Sequence, residues 1–189
     1  MEDDRDTVGG SWRKLYLPMA SFAKEMGIIR IEDIISTRRN IKSFKPDPLD
    51  AARLDAWLDF ARYAPNHRMT EPWEIIAVGP ETRRKLNHKT DFGGAPVLLA
   101  ILSLPARTPL DRDENMVATA CFLQNFMLAA HADGVGTGIS SLGNTPRGRE
   151  ILQVPDGFDV VGLVPVGYPL EVPEAKARRP IADKLRRLP

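Results

Sequence analysis

Ile31, Ile34 and Ile35 sit at i, i+3 and i+4, the apolar face of a short helix that runs into Arg38-Arg39. Pro46 and Pro48 then impose a non-helical link, because proline lacks an N–H and restricts the residue before it. Asp50 is placed to cap a second helix, in which Leu54, Trp57, Leu58 and Ala61 keep the apolar stripe until Pro65 stops it. Its opposite face, with Arg53, Asp55, Asp59 and Arg62, reads as solvated. WEIIAV at 73–78 and PVLLAIL at 96–102 have the length and aliphatic content of buried strands, with a helical stretch over 80–89 between them. DVVGLVPVG at 159–167 predicts a third strand, at an edge or distorted because of Pro165. Between Asn115 and Ala132 the chain is apolar almost all round, which predicts a helix buried on most sides and, in a chain this small, packed against a second subunit. Residues 1–27 carry Trp12, Leu15, Tyr16, Leu17 and Phe22 without sustained periodicity. They are read as an N-terminal extension to a domain over 28–189, wrapping a partner subunit and narrowing the mouth of its site.

Composition narrows the partners. A chain of 189 residues with 43% hydrophobic content suffices for one core. Lys and Arg (26) nearly cancel Asp and Glu (25), so no global field gathers nucleic acid or an anionic membrane. Any anion is held locally, which favours a small charged ligand. Cys121, the only cysteine, excludes an internal disulfide and a thiolate metal site, and points to a reducing compartment. No run approaches the roughly 20 apolar residues of a membrane-spanning helix. The chain starts with acidic MEDDRD, and the expected location is the cytoplasm.

The search for chemistry is informative by what it fails to find. His67, His88 and His131 are isolated, without the i, i+3 or i, i+4 pairing that puts two metal ligands on one helix face. Ser140-Ser141 lack the G-x-S-x-G elbow and any clear acid and base partner, so no catalytic side chain stands out. GVGTG at 134–138 follows a helix instead of a strand, which is the wrong context for a dinucleotide loop. Gly134 reads as a left-handed helix C-cap. For 138–141 two readings stay open, a plain turn into an extended segment or small residues that let backbone and hydroxyls approach a flat ligand. Two stretches remain. RRNIKSF at 38–44 has three cations within five positions, and APNHRMTEPW at 64–73 is an irregular loop ending in Trp.

In that order and spacing, with a buried Ala-rich helix and a glycine turn following, these two stretches resemble the R-R-S-x-R-x-F element and the A-P-s-x-x-x-x-Q-P-W loop of the nitroreductase family. The resemblance runs from about Ile29 to Leu185. It implies an α+β fold, with a central mixed or antiparallel sheet flanked by helices, forming a homodimer with active sites at the interface. It also implies FMN as cofactor, NADH or NADPH as electron donor, and nitroaromatic or quinone acceptors reduced in ping-pong order through flavin N5. The cofactor positions carried over are Arg38, Arg39, Asn40 and Lys42 for the phosphate, ribityl chain and pyrimidine edge. Clustered guanidinium forks suit a phosphate, and a cation near the N1–C2=O edge, here Lys42, stabilises negative charge on reduced flavin. Asn40 stands where the family has Ser and retains both donor and acceptor. Asn66, His67 and Met69 fall in the loop presented from the partner subunit. Met69 stands for a common Asn and Glu71 for the usual Gln. Gly138, Ile139, Ser140 and Ser141 match a segment laid along the flavin from the other protomer, and Lys176 and Arg178 match a C-terminal K-x-R element that returns to the phosphate.

Each residue taken alone has a plainer reading. Arg38-Arg39 would equally complement the negative C-terminal end of their helix, and Lys42 and Arg178-Arg179 would be solvated cations. His67 would be a loop hydrogen-bonding residue. A flavin store or sensor without turnover is the alternative function. Arg38→Ala is expected to weaken FMN binding by roughly 1.5–3 kcal/mol, the value of a charge-assisted hydrogen bond, in a flavin fluorescence-quenching titration. Unchanged affinity would remove Arg38 from the phosphate site.

Overall fold

β2 (Val97–Ser103) runs through the middle of the fold and is buried from Leu98 to Ser103. In this protein, described by a computed structural model over residues 30–188, the chain divides after Arg38 into two units. The extension over 1–27, with the wrap expected of it, lies outside the described residues.

The first unit contains helix α1 (Ile31–Thr37), with Glu32 and Asp33 in its first turn, where acidic side chains meet the positive end of the helix dipole. Arg38 is its C-cap and donates its backbone N–H to Ile34 O at 3.1 Å.

The second unit is built on a sheet of four strands, β1 (Trp73–Ala77), β2, β3 (Gly136–Thr137) and β4 (Asp159–Gly167), in the order β1-β2-β4-β3 with every pair antiparallel. Successive side chains of a strand point to opposite faces. Leu99 and Ile101 therefore enter one core with Trp57, Phe122, Phe126 and Val164, while Leu98 and Ala100 enter another with Leu86, Phe92, Leu152 and Leu163. Burial on both faces is why β2 reads as an unbroken aliphatic run. Helices α2 (Ala51–Ala61) and α4 (Pro109–Ala132) contribute to the first core, and α3 (Pro80–Leu86) and α5 (Pro146–Ile151) border the second.

The expected elements are present, with instructive differences. Asp50 caps α2 as predicted, its Oδ1 accepting the Ala52 N–H at 3.0 Å. α4 begins six residues before Asn115, at a Thr-Pro start in which Thr108 Oγ1 accepts the Asp111 N–H at 3.1 Å. α5 opens the same way, with Thr145 Oγ1 accepting from Gly148 at 3.0 Å. α4 is not buried all round within one chain. Its core face carries Ala118, Thr119, Phe122, Leu123, Phe126 and Ala130, whereas Leu110 and Val117 are 67% and 64% exposed. β4 lies inside the sheet and not at its edge, but Pro165 is tolerated for a local reason. Its carbonyl accepts Gly138 N–H at 3.0 Å and the pairing carries on to Ser140 and Leu163, so the missing N–H costs one bond toward the outermost segment and none toward β2. Among the described residues no helix is long and apolar enough to cross a membrane, and no three His, Cys, Asp or Glu converge as metal ligands.

The C-terminus of α4 sets the position of β3. Gly134, at φ +77°, donates to His131 O at 2.9 Å, and Val135 donates to Ala130 O at 3.0 Å, the paired bonds of a Schellman cap. At the C-cap, Asp133 accepts from Trp57 Nε1 at 2.7 Å and from Arg53, tying α2 to the end of α4. Chiefly the Trp57 bond, and secondarily Arg53, holds the Asp133 carboxyl below its ordinary 3.8 against the opposing effect of burial. Because the folded value is depressed, this contribution is present above the ordinary carboxyl value and is lost as pH falls through the depressed one. Asp133→Ala leaves the buried Trp57 N–H without its acceptor. The expected cost is about 1 kcal/mol by urea denaturation at neutral pH, low in the range because the carboxylate is partly solvated, and the difference from wild type should shrink below pH ~4.

Candidate functional site

The basic stretch is not a strand of the sheet, yet its backbone is bonded on several sides. Ile41 donates to Thr137 O at 2.9 Å, Phe44 to Gly93 O at 2.9 Å and Lys45 to Tyr168 O at 2.8 Å, while Ser43 O accepts from Leu170 at 3.0 Å. Ile41 and Phe44 are buried with Ala95 in a small core of their own. Ile41 points inward, so in this extended stretch its neighbours Asn40 and Lys42 lie on the opposite, exposed side. Between Arg38 and Lys45 there is no carboxylate, so the segment presents cations and an amide without internal neutralisation. Its packing depends on Gly93, at φ +70°, where a Cβ would lie 2.1 Å from Lys42 O.

The 138–141 segment lies beside it within the same chain, where the resemblance had implied the other protomer. Asn40 and Thr137 form a parallel bridge, and Asn40 Oδ1 accepts the Ile139 N–H at 3.1 Å. The glycine has a structural reason. A Cβ on Gly138 would lie 2.6 Å from Ile41 O and 2.9 Å from Pro165 Cγ, so the close approach here is chain against chain. Backbone donors of the segment are largely committed to the protein: Gly138 to Pro165 O, Ile139 to Asn40 and Ser140 to Leu163 O at 2.8 Å. Ser140 Oγ accepts from Leu142 N at 3.3 Å. What this stretch offers outward is the exposed side chains of Ile139 and Ser141. The buried Thr137 hydroxyl has no hydrogen-bond partner, alone in this among the described buried side chains.

The loop before β1 is ordered by its own polar groups. Asn66 donates through Nδ2 to Ala64 O at 3.2 Å and accepts Glu71 N–H on Oδ1 at 3.0 Å, so its amide frames the loop. Thr119, which sequence reasoning did not single out, has its buried hydroxyl within hydrogen-bond distance of Pro72 O at 2.9 Å and of Asn115 O in its own helix at 2.8 Å, so its single proton lies between the loop and α4. Trp73 stacks on Phe122 with ring centroids 5.0 Å apart. Arg68, Met69 and Glu71 all have left-handed backbone, at φ 53°, 53° and 45°, a costly conformation for residues with side chains. His67 and Met69 are exposed, and His67 helps line a groove of about 340 Å³ with Arg68, Arg107, Asp111 and Glu114.

These two regions lie at opposite corners of the sheet. Trp73 pairs with Ser103, which pairs with Asp159 at the start of β4, while Thr137 pairs with Val166 near its end. Three strand spacings separate β1 from β3, about 14 Å, and seven residues along β4 add about 23 Å. A single chain therefore does not bring Asn66, His67 and Met69 to Asn40 and Lys42. Lys176 and Arg178 are both exposed, and Arg178 Nη1 donates to Lys176 O at 3.4 Å.

Comparison with known proteins places this arrangement. The sequence model of the nitroreductase family matches residues 35–90 and 83–168. The chain is similar to the candidate NAD(P)H nitroreductase YfhC of Bacillus subtilis, at 32% identity over 179 residues, covering 82% of this chain and 92% of that one. Its structure is similar to that of a nitroreductase-like family protein from Bacillus cereus, with a TM-score of 0.78 and 29% identity, covering 85% of this chain and 96% of the other. The NADPH:FMN oxidoreductase of Vibrio harveyi, crystallised with NAD+, shares the fold at a TM-score of 0.77 and 19% identity, over 83% of this chain and 76% of that one. The pinned basic segment, the Pro-Trp loop and the sheet that separates them thus have a common explanation: the chain belongs to the nitroreductase family of oxidoreductases.

Proposed function

We propose that this protein is an FMN-dependent NAD(P)H oxidoreductase that reduces nitroaromatic, quinone or related electrophilic acceptors, working in the cytoplasm as a homodimer with sites between subunits. The observation that carries the reading is the segment over 39–45, held by backbone bonds, presenting Asn40 and Lys42 on one exposed face and containing no carboxylate in its own sequence. That donor set fits FMN. Two cations and an amide N–H group match a phosphate and a ring carbonyl edge, both rich in acceptors. FMN, when bound, supplies the chemistry, its N5 taking and giving the hydride while donor and acceptor use one cavity in turn.

The protein's part is orientation and charge. Arg39 holds anionic oxygen, and Lys42 places positive charge beside the ring edge where negative charge grows on reduction. Ile139, 51% exposed next to Asn40, offers an apolar surface to a flat ring. No side-chain nucleophile is required, in keeping with isolated histidines and with a Ser140 hydroxyl occupied by Leu142 N–H. The separation of the two corners supports the dimer. His67 and Met69 can share a site with Asn40 and Lys42 only when a second copy supplies them, and the exposed Leu110 and Val117 on α4 provide apolar surface for an interface. Lys176 and Arg178 belong to an exposed C-terminal stretch, with Val172 and Ile181 66% and 77% exposed, that gains a binding surface on assembly.

The test is an anaerobic visible spectrum of protein loaded with FMN and desalted, recorded before and after NADPH and then NADH. Retained flavin absorbance that bleaches within the mixing time is expected, in a species whose light-scattering mass is that of two chains. Flavin retained without bleaching would make the protein a flavin carrier, and flavin lost on desalting would refute the assignment of the basic segment.

A further inference from the structure

His88 stands alone in the sequence but not in the fold. Its ring Nδ1 accepts the Phe92 N–H at 3.0 Å and the Thr90 N–H at 3.4 Å, while its face stacks on the Phe92 ring with centroids 4.2 Å apart. A backbone N–H only donates, so Nδ1 carries the lone pair and the ring proton sits on Nε2. The loop held in this way is costly. Asp91 and Phe92 have left-handed backbone at φ 45° and 52°, followed by Gly93 and Gly94 at 70° and 73°, and such a run persists only where its surroundings over-determine it. Arg83 supplies a second hold from α3, its Nε donating to Asp91 Oδ1 at 2.7 Å and its Nη atoms to the Asp91 and Ala95 carbonyls. Those bonds fix the two ends of the run. Inside it, the buried Phe92 N–H rests on His88.

What this loop carries is the basic segment. Gly93 O accepts the Phe44 N–H at 2.9 Å, and a Cβ at Gly93 would lie 2.1 Å from Lys42 O, so the two backbones lie directly against each other. We infer that His88 is a positioning residue of the cofactor site: its neutral imidazole, accepting the Phe92 N–H, sets the 91–94 loop that holds the backbone of Lys42 and Phe44, and thereby fixes where the Lys42 ammonium stands. The clamp itself needs nothing bound. Its value to the site rests on the reading of Lys42 as the cation beside the flavin ring edge, since a displaced charge there stabilises reduced flavin less. A ring present only to pack against Phe92 would have no use for a lone pair at Nδ1, and that difference makes the role testable.

Two substitutions divide the ring from its lone pair. His88→Asn keeps an acceptor oxygen at the distance of Nδ1 from the backbone but has no ring to stack, whereas His88→Phe keeps a ring and has no acceptor. In flavin-free protein the Phe44 amide should exchange about fivefold or more faster than wild type in His88→Phe, and within about twofold of wild type in His88→Asn. His88→Ala lacks both features, should match His88→Phe, and takes its place if that variant does not fold. With FMN bound, the midpoint potential should fall by roughly 15–30 mV in His88→Phe, a threefold to tenfold loss of preference for reduced flavin, and hold its wild-type value in His88→Asn. Unchanged Phe44 exchange in both His88→Phe and His88→Ala overturns the clamp. Equal acceleration in His88→Asn and His88→Phe assigns the hold to stacking and overturns the acceptor role. Faster exchange with an unchanged potential overturns the positioning of Lys42 while leaving the FMN reading standing. Wild-type protein that retains no FMN overturns that reading, and the claim on Lys42 with it, whatever the exchange rates.

Discussion

Burial of β2 on both faces is the constraint on which the rest of this fold depends. A strand with Leu99 and Ile101 in one core and Leu98 and Ala100 in another needs helices on both sides and hydrogen-bonded neighbours on both edges. β1 and β4 supply the neighbours, leaving the outer side of β4 to the very short β3. Residues 138–140 carry the pairing on along β4, and outside β3 a segment with almost no regular secondary structure, residues 40–45, is bonded to β3, to residues 168–170 and to Gly93. A rigid platform is thereby built from loop residues, with buried Ile41 and Phe44 anchoring it and charged neighbours left outside.

Such anchoring suits the proposed function, in which the reactive atoms belong to a cofactor. On that reading the protein's own task is to present donors at fixed positions, and fixed donors stabilise developing charge without reorganising. The loop at the opposite corner uses a different device. Asn66 closes it internally, the Thr119 hydroxyl sits between Pro72 O and Asn115 O, and the left-handed backbone at Arg68, Met69 and Glu71 is held within that frame.

Much of the architecture was legible in the sequence because strong periodicity and punctuation survive folding. The stripe from Leu54 to Ala61 with its Asp50 cap, the aliphatic β2 run and the Gly134 terminator appear where the pattern places them. The start of α4 was missed because its first turns are polar, although Thr108-Pro109 carried a capping signal. Pro165 misled because a proline whose missing N–H costs one bond on the outer side of an interior strand looks, in one dimension, like a proline on an edge strand. Candidate residues were legible as a set through resemblance, but their roles were not. Gly138 is small because Ile41 O and Pro165 occupy its side-chain space, and Asn66 spends its amide on the loop. Such facts depend on partners distant in sequence, 99 positions in the case of Asn40 and Ile139.

The distance between the two corners of the sheet also bears on genetics. If one site takes its basic platform from one chain and its Pro-Trp loop from another, each polypeptide serves two sites at once. A platform defect and a loop defect carried on separate chains would then complement in a mixed dimer, producing one site with both lesions and one with none. The same two defects on a single chain, paired with an intact one, would leave each site with one lesion. Heterozygous combinations would thus differ in activity with the same total of altered residues, and the arrangement of alleles, in cis or in trans, would carry information about which surfaces meet.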